Sequence, residues 1–481
     1  MKLFDLLDGM DATLLGDGAI EIRNISMDSR KVQPGDLFCC ISGFKVDGHD
    51  FAAQAVEQGA AALVVERRLP LPVPQMIVKD TRAAVALLAA AFYGHPTRYL
   101  TLVGVTGTNG KTSTTYMVRS IAEAWGKKAA IMGTTGLRVG DEVIDTGLTT
   151  PDPIEMQKYL RHAVDAGAQW MACEVSAHAL ALRKVRGICF DVGVFTNLTQ
   201  DHLDDFKTME AYGKAKQMLF APGVVRYAVG LMDDPACEMI MENLGSVPLW
   251  RTGMTDAADV WAKDLELSPA GSRFTLVTPV GTTPVKLRTP GRFMVMNALS
   301  AAAACLSQGV PLKAVREGLE SLDHVDGRIQ TLPCERGFHI ILDYAHTPDA
   351  LTKILKAVRE FTPGRTVALF GCGGDRDRTK RPVMGRIAGE LADYTIVTSD
   401  NPRTEDPMGI IEQIVSGVQE SGGAYEVVEN RREAIARAID IAQPGDTIVL
   451  AGKGHETYQQ IGHTKYPFDE KVIVAQLLSG R

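Results

Sequence analysis

The chain has 481 residues, 45% of them hydrophobic and 23% charged, with a formal net charge of -7. That length exceeds one ordinary domain and sets an expectation of about three, each with ample apolar material for a core. The acidic balance argues against nucleic acid or an anionic membrane surface as the main partner.

The first eight residues, MKLFDLLD, carry acids where a secretory leader would be apolar. The longest apolar run, around 83–92, is too short to span a bilayer. Eight scattered cysteines without a C-x-x-C pair read as reduced thiols. The expectation is a cytoplasmic protein, monomeric, with no membrane or nucleic-acid partner.

Residues 1–97 show short β-like runs at Ile20–Ile22, Asp36–Ile41 and Ala62–Val65 between alanine-rich helical stretches. The turn Tyr93-Gly94-His95-Pro96-Thr97 closes this segment. From 98 to 328 strand and helix patterns alternate, as in a doubly wound sheet, with a β-rich and turn-rich stretch around 257–287. Its first strand, Leu102–Val105, runs into Gly107-Thr108-Asn109-Gly110-Lys111-Thr112-Ser113 and then a helix. Successive backbone N–H groups in such a turn cradle phosphate oxygens, the lysine adds a point charge, and the Thr112 hydroxyl suits Mg²⁺. The spacing departs from G-x-x-x-x-G-K-[ST], because Val105 stands five residues before Gly110, so this is a variant nucleotide loop for ATP or GTP.

Two further strand ends in this segment carry chemistry. Gln169–Cys173 leads to Glu174-Val175-Ser176-Ala177-His178, and Asp191–Leu198 leads to Asp201-His202-Leu203-Asp204. An acid at a strand end beside a nucleotide loop suits a metal shared with the phosphates, which makes Glu174 a candidate against the plain alternative of a helix-capping acid. His202 is open between a structural and a metal or phosphate role. Helical spacing puts Lys216 on the face of Tyr212, Leu219 and Phe220. Composition favours a snorkelling lysine there, and the alternative is a shielded amine that captures CO₂ as a metal-binding carbamate.

The third segment, 329–481, alternates strand and helix again. Its apolar runs end in Asp343-Tyr344-Ala345-His346, Gly371–Arg376, Ser399-Asp400-Asn401-Pro402-Arg403 and Ala451-Gly452-Lys453-Gly454-His455-Glu456. Ligands of open α/β sheets bind outside the carboxyl ends of strands, so these four ends define one expected crevice.

Taken in order, these motifs resemble the Mur ligase family over essentially the full chain. Thr149-Thr150-Pro151, Asn297-Ala298-Leu299, Gly327-Arg328 and the early Asp28-Ser29-Arg30 and Pro34-Gly35-Asp36 add to the resemblance. It implies an α/β protein of three domains, with a central P-loop doubly wound sheet (98–328) flanked by an N-terminal α/β uridine-binding domain (1–97) and a C-terminal Rossmann-like domain (329–481). The implied activity is ATP-dependent amide ligation onto a UDP-N-acetylmuramoyl-peptide in peptidoglycan precursor synthesis.

The resemblance also implies roles. Lys111, Glu174, His202 and Lys216 would be catalytic, with Thr112, Glu174, His202 and a carbamylated Lys216 holding Mg²⁺. Asn297, Arg328 and Asp343 would join Gly107–Ser113 in binding ATP. Ser29, Thr149, Thr150, Ser176 and Lys184 would meet UDP-MurNAc-L-Ala-D-Glu. Two departures stand out: many relatives have a second serine where this chain has Ala177, and an arginine where it has Lys184. Asp400-Asn401-Pro402-Arg403 resembles the motif of members that add meso-diaminopimelate, whose distal carboxylate suits a bidentate arginine. Arg376 would grip another carboxylate, and Glu456 with Gly452 the distal ammonium. The alternatives are a lysine-adding or folate-extending sister ligase and, in another class, a regulatory P-loop NTPase.

Overall fold

A computed structural model describes residues 1–7, 9–43 and 46–480. The chain forms two compact units, one of Met1–Leu198, His202–Trp250 and Ala304–Val310, the other of Thr199–Asp201, Arg251–Ala303 and Pro311–Arg481. Among the described residues no helix is long and apolar enough to cross a membrane.

The first unit begins with a five-stranded sheet in the order Ala12–Leu15, Gln75–Val78, Ala62–Val65, Asp36–Cys39, Asn24–Ser26, parallel except for its first pair. The helix Thr81–Phe92 starts where the Asp80 carboxylate accepts the Ala83 N–H, and it buries Val85 and Leu88 against this sheet. The expected strand at Ile20–Ile22 does not form. Only Glu21 makes a bridge, to Lys2, and Ile22 donates to the Met1 carbonyl, so this run ties down the N-terminus while Asn24–Ser26 enters the sheet.

The same unit holds five parallel strands in the spatial order Val225–Leu231, Phe190–Phe195, Thr101–Thr106, Trp170–Glu174, Ala129–Gly133. Buried on both faces, they read as continuous apolar runs rather than alternating ones. Gly104 is needed in the middle of this sheet, because a β-carbon there would lie 2.8 Å from the Phe190 ring. Thr101–Thr106 lies between the third and fourth strands in chain order, which opens a crevice at its carboxyl end.

The second unit contains the antiparallel strands Val260–Ser268, Gly271–Thr278 and Gly281–Leu287, the β-rich stretch expected there. Its six-stranded sheet has the order Gln330–Leu332, His339–Asp343, Thr447–Ala451, Thr366–Phe370, Tyr394–Val397, Tyr425–Val427, parallel after the first pair. Four adjacent parallel strands therefore end on one edge, in Asp343, Ala451, Phe370 and Val397.

The helices Lys380–Leu391 and Pro407–Ser421 follow the loops that carry Arg376 and Arg403, and they pack backbone to backbone through glycine. A β-carbon at Gly417 would sit 1.8 Å from the Pro382 carbonyl oxygen, and one at Gly385 2.0 Å from that of Ile414. Neither neighbour is a movable side-chain end. Gly417→Ala should therefore destabilise the protein by about 1–3 kcal/mol, the usual penalty of overpacking. Chemical denaturation read by circular dichroism checks this, and an unchanged midpoint would show that the helices can separate freely.

Candidate functional site

The strand Thr101–Thr106 hands the chain to a loop that only glycine can build. Gly107 has φ +153° and a β-carbon there would lie 1.8 Å from Thr196 Oγ1; Gly110 has φ +85°. The helix Lys111–Ala124 starts directly after this turn. Lys111 curls back so that its ammonium donates to the carbonyls of Gly107 and Thr108, each at 2.9 Å. The loop is braced from the next strand end: Asn197 Oδ1 accepts the Asn109 N–H at 2.9 Å, and Thr196 Oγ1 donates to the Asn109 carbonyl at 2.6 Å.

Glu174 ends its strand 2% exposed. Its Oε1 accepts from the Thr112 hydroxyl and from the Thr134 N–H, both at 2.9 Å, and its Oε2 from the Thr134 hydroxyl at 3.2 Å. A β-carbon at Gly133 would meet Glu174 Oε1 at 2.1 Å. The donor set is hydroxyl and carboxylate oxygen beside a phosphate-type loop, the hard-oxygen chemistry that fits Mg²⁺. Thr134 Oγ1 is also 3.2 Å from Thr149 Oγ1, and Thr150 Oγ1 donates to the Glu174 carbonyl at 2.9 Å and lies 3.3 Å from Ser176 Oγ. Thr149, Thr150, Ser176 and Glu174 are thus one connected cluster.

Lys184 pairs with Asp152 at 2.9 Å, and both line a cleft with Met27, Ile41 and Arg82. Ser29 is buried and donates to Gln54 Oε1 at 3.4 Å. Lys216 does not snorkel. It is 1% exposed on the helix Met209–Gln217, with its Nζ 4.1 Å from the Tyr212 ring centroid. His202, in the left-handed region at φ +54°, faces the same ring with centroids 6.0 Å apart. His178, His202 and Asp205 each bring a ligand atom to within 4.8 Å of the others, and His178 Nε2 lies 2.9 Å from Asp205 Oδ2.

In the second unit Asp343 is buried, and its oxygens accept the backbone N–H groups of Ile329 (2.9 Å) and Ala345 (2.8 Å). Burial pushes its carboxyl up from the ordinary range, against the opposing pull of Arg328 and these two donors. Arg328 stacks over Tyr344 at 5.2 Å. Gly327 is pressed against the Gly452–Glu456 loop, where a β-carbon would lie 2.5 Å from the His455 nitrogen. Asn297, buried on the helix Arg292–Ser307, has its amide 3.9 Å from the Met294 sulfur.

The strand ends bring Asp400, Asn401, Gly452 and Glu456 together. Asp400 Oδ2 would lie 3.1 Å from a β-carbon on Gly452, and Asn401 Nδ2 donates to Glu456 Oε2 at 2.9 Å. Arg403 Nη1 donates to the Gly374 carbonyl at 2.7 Å. Pro402 is buried, with its carbonyl accepting from Glu405, while Arg376 is exposed beside Asp375.

Residues 105–305 match the model of the Mur ligase middle domain, 327–454 that of the Mur ligase glutamate ligase domain, and 21–93 that of the Mur ligase family catalytic domain. The chain belongs to the Mur ligase family. It is 45% identical, over 100% of both chains, to UDP-N-acetylmuramoyl-L-alanyl-D-glutamate--2,6-diaminopimelate ligase of Geobacillus thermodenitrificans, and 44% identical, over 99% of both, to that of Clostridium acetobutylicum. A solved structure of a ligase with the same title superposes with a TM-score of 0.75 at 31% identity, covering 100% of this chain and 99% of that one. MurF from Acinetobacter baumannii, at 20% identity and a TM-score of 0.64 over 99% and 98% of the two chains, shares the Mur ligase fold. The α/β architecture expected from the sequence is that of this family.

Several residues of these clusters had no motif to announce them, and Lys453 stood inside a strand-end motif without a role of its own. Thr134 and Gly133 sit at the end of an apolar strand, Thr196 and Asn197 brace the loop from a neighbouring one, and Lys453 is fully buried beneath Asn401. The available signal was positional, since each stands at or just beyond the carboxyl end of a parallel strand.

A methyl group added at Gly133 would lie 2.1 Å from Glu174 Oε1 and 2.6 Å from its Cδ and Cγ, so the carboxylate must shift to admit it. Gly133→Ala should therefore break the Thr112–Glu174 contact and lower ATP-dependent turnover by at least about tenfold, the effect of about 1.4 kcal/mol. Steady-state ADP release checks this, and wild-type turnover in the folded variant would show that the contact is dispensable.

Proposed function

We propose that this chain joins meso-diaminopimelate to UDP-N-acetylmuramoyl-L-alanyl-D-glutamate at the expense of ATP. The observation that carries the reading is full-length similarity at 45% and 44% identity to ligases of that name. The gathering of Asn401, Glu456 and Gly452 at one sheet edge, with Arg403 just beyond, agrees with an amino acid that has two charged ends. The lysine-adding reading gives no carboxylate to Arg403, the Asp28–Asp36 and Asp400–Arg403 motifs speak against a folate-extending one, and a switching NTPase needs no such cluster.

In this reading the D-glutamate carboxylate attacks the γ-phosphorus, ADP leaves, and an acyl phosphate forms. The amine of diaminopimelate then attacks the acyl carbon, loses a proton, and phosphate leaves as the amide closes. Gly107–Ser113 would hold the phosphates with their N–H groups, and Lys111 is positioned to exchange its loop carbonyls for phosphate oxygens. Thr112, Glu174, His202 and a carbamylated Lys216 would hold Mg²⁺, which when bound offsets the charge that builds between two anions. Asn297, Arg328 and Asp343 would serve the nucleotide, and Ser29, Thr149, Thr150, Ser176 and Lys184 the UDP-sugar dipeptide. The reaction would run in the cytoplasm.

The decisive assay is ADP release with the UDP-dipeptide and either meso-diaminopimelate or L-lysine. Release with the first and not the second supports the proposal, and preference for L-lysine overturns it. Lys216→Ala should be inactive and partly rescued by small carboxylic acids that replace the carbamate. An unmodified ammonium at Lys216 in mass spectra of active enzyme would sink the carbamate.

Arg403→Ala would leave the distal carboxylate facing a site without its cation, a loss of about 2–5 kcal/mol for a desolvated pair. The KM for meso-diaminopimelate should rise by about two orders of magnitude at roughly 1.4 kcal/mol per tenfold, with those for ATP and UDP-dipeptide little changed. Equal use of L-lysine by the wild type would show that Arg403 is not the selector.

A further inference from the structure

Lys453 is 0% exposed, an uncommon place for an ammonium, which must find partners when stripped of water. It donates to Asn401 Oδ1 at 3.0 Å and to Glu456 Oε2 at 3.3 Å, and it lies 5.8 Å and 5.9 Å from the Tyr458 and Phe468 ring centroids. No part of the ligation chemistry described above uses it.

Its contacts settle which way two flexible polar groups point. Asn401 Oδ1 faces Lys453 Nζ and the Gln460 N–H (2.9 Å), both of which can only donate, so the amide carbonyl must sit there. The amide NH₂ then takes the other branch of the side chain, with one hydrogen on Glu456 Oε2 and the second left to donate. Glu456 Oε2 is taken by two donors, Asn401 Nδ2 and Lys453 Nζ, and Oε1 is left to accept. A pair that could otherwise rotate thus presents one donor and one acceptor in a set order.

We infer that Lys453 is a positioning residue that gives Asn401 and Glu456 a fixed polarity, so that the pair reads a distal zwitterion in one orientation, ammonium at Glu456 and carboxylate at Asn401. The inference rests on the proposed amino-acid substrate and adds a stereochemical consequence. A distal centre of the opposite hand would place its ammonium against the amide donor and its carboxylate against Glu456.

The test uses the full chain with three acceptors: meso-diaminopimelate, the LL isomer, and aminopimelate, which lacks the distal amine. Lys453→Met should raise the KM for meso-diaminopimelate at least about thirtyfold, as for one member of a buried charged pair, and bring the meso-to-LL preference close to one. KM values for ATP and UDP-dipeptide should stay near wild type, a split that general loss of structure does not produce. Wild-type KM and preference in Lys453→Met would overturn the inference. Where that variant fails to fold, Glu456→Gln decides. The two donors at Oε2 force the new carbonyl inward and its NH₂ outward, so the preference for meso-diaminopimelate over aminopimelate should vanish. Retention of that preference would mean that the side chain rotates freely, and it too would overturn the inference. A wild-type protein that ligates none of the three overturns the proposed function instead.

Discussion

One buried carboxylate organises the first unit. Glu174 accepts three hydrogen bonds from Thr112 and Thr134, and its own carbonyl accepts a fourth from Thr150. A charge this buried is tolerable only when fully hydrogen-bonded. That requirement pulls three chain segments to one point: the helix after the phosphate loop, the turn after Ala129–Gly133, and the 149–150 stretch. Thr134 and Thr150 lead on to Thr149 and Ser176, so the phosphate loop and the proposed peptide contacts share a single anchor. Each relay is a hydroxyl, the smallest group that can donate to Glu174 while accepting elsewhere.

The second unit solves a different problem with the same means. Two of its helices, Lys380–Leu391 and Arg431–Ile441, carry buried cations. Arg431 is 1% exposed and donates to Glu470 at 2.7 Å and to the Ala451 carbonyl at 2.8 Å. Arg381, also buried, clasps Glu405 through both Nη atoms and donates to the Gly373 carbonyl. These hydrogen bonds hold the Glu405 carboxyl well down, to about 2. Both arginines end on backbone carbonyls at the rim of the crevice, so the loops bearing Gly452 and Arg376 are fixed from below. Ionic pairs of this kind add little stability over apolar packing. Their value here is geometric.

The main features of this arrangement were legible in the sequence because they repeat one signal, an apolar strand that ends in charged or polar residues, joined by glycine in the 107–113 loop and at two of the ends. The phosphate loop, Glu174 and the four strand ends of 329–481 all carry it. The parallel strands were readable because burial on both faces leaves an unbroken apolar run. Ile20–Ile22 failed for the converse reason. A three-residue apolar run reports burial and not pairing, and its partner is the chain terminus rather than a sheet. Lys216 was half legible: spacing put it on the apolar face, yet nothing in a period of 3.6 distinguishes a head group that escapes from one lying under a tyrosine ring. The roles of Thr134, Thr196 and Lys453, the last inside a strand-end motif, stayed hidden because they come from hydrogen bonds across 40, 87 and 52 residues, separations that local patterning does not encode.

Arg403, the proposed selector, shows how much scaffold a single side chain requires. Its φ of +51° lies in the left-handed region, which for a residue with a β-carbon carries about 1–3 kcal/mol of strain. The short hairpin Tyr458–Ile461 and Thr464–Pro467 opposes that strain directly: the Arg403 N–H donates to the Gln460 carbonyl at 3.1 Å, and its carbonyl accepts from Gly462 at 2.7 Å. On the other side Gly373 and Gly374 must lack side chains, since a β-carbon would lie 2.8 Å from Arg403 Nη1 and 1.9 Å from the Pro402 carbonyl. Glycine would remove the strain at position 403 and the guanidinium with it. The strained arginine, the hairpin that holds its backbone and the two glycines beneath it therefore form one device, and the hairpin's place in the fold follows from the conformation that this one side chain demands.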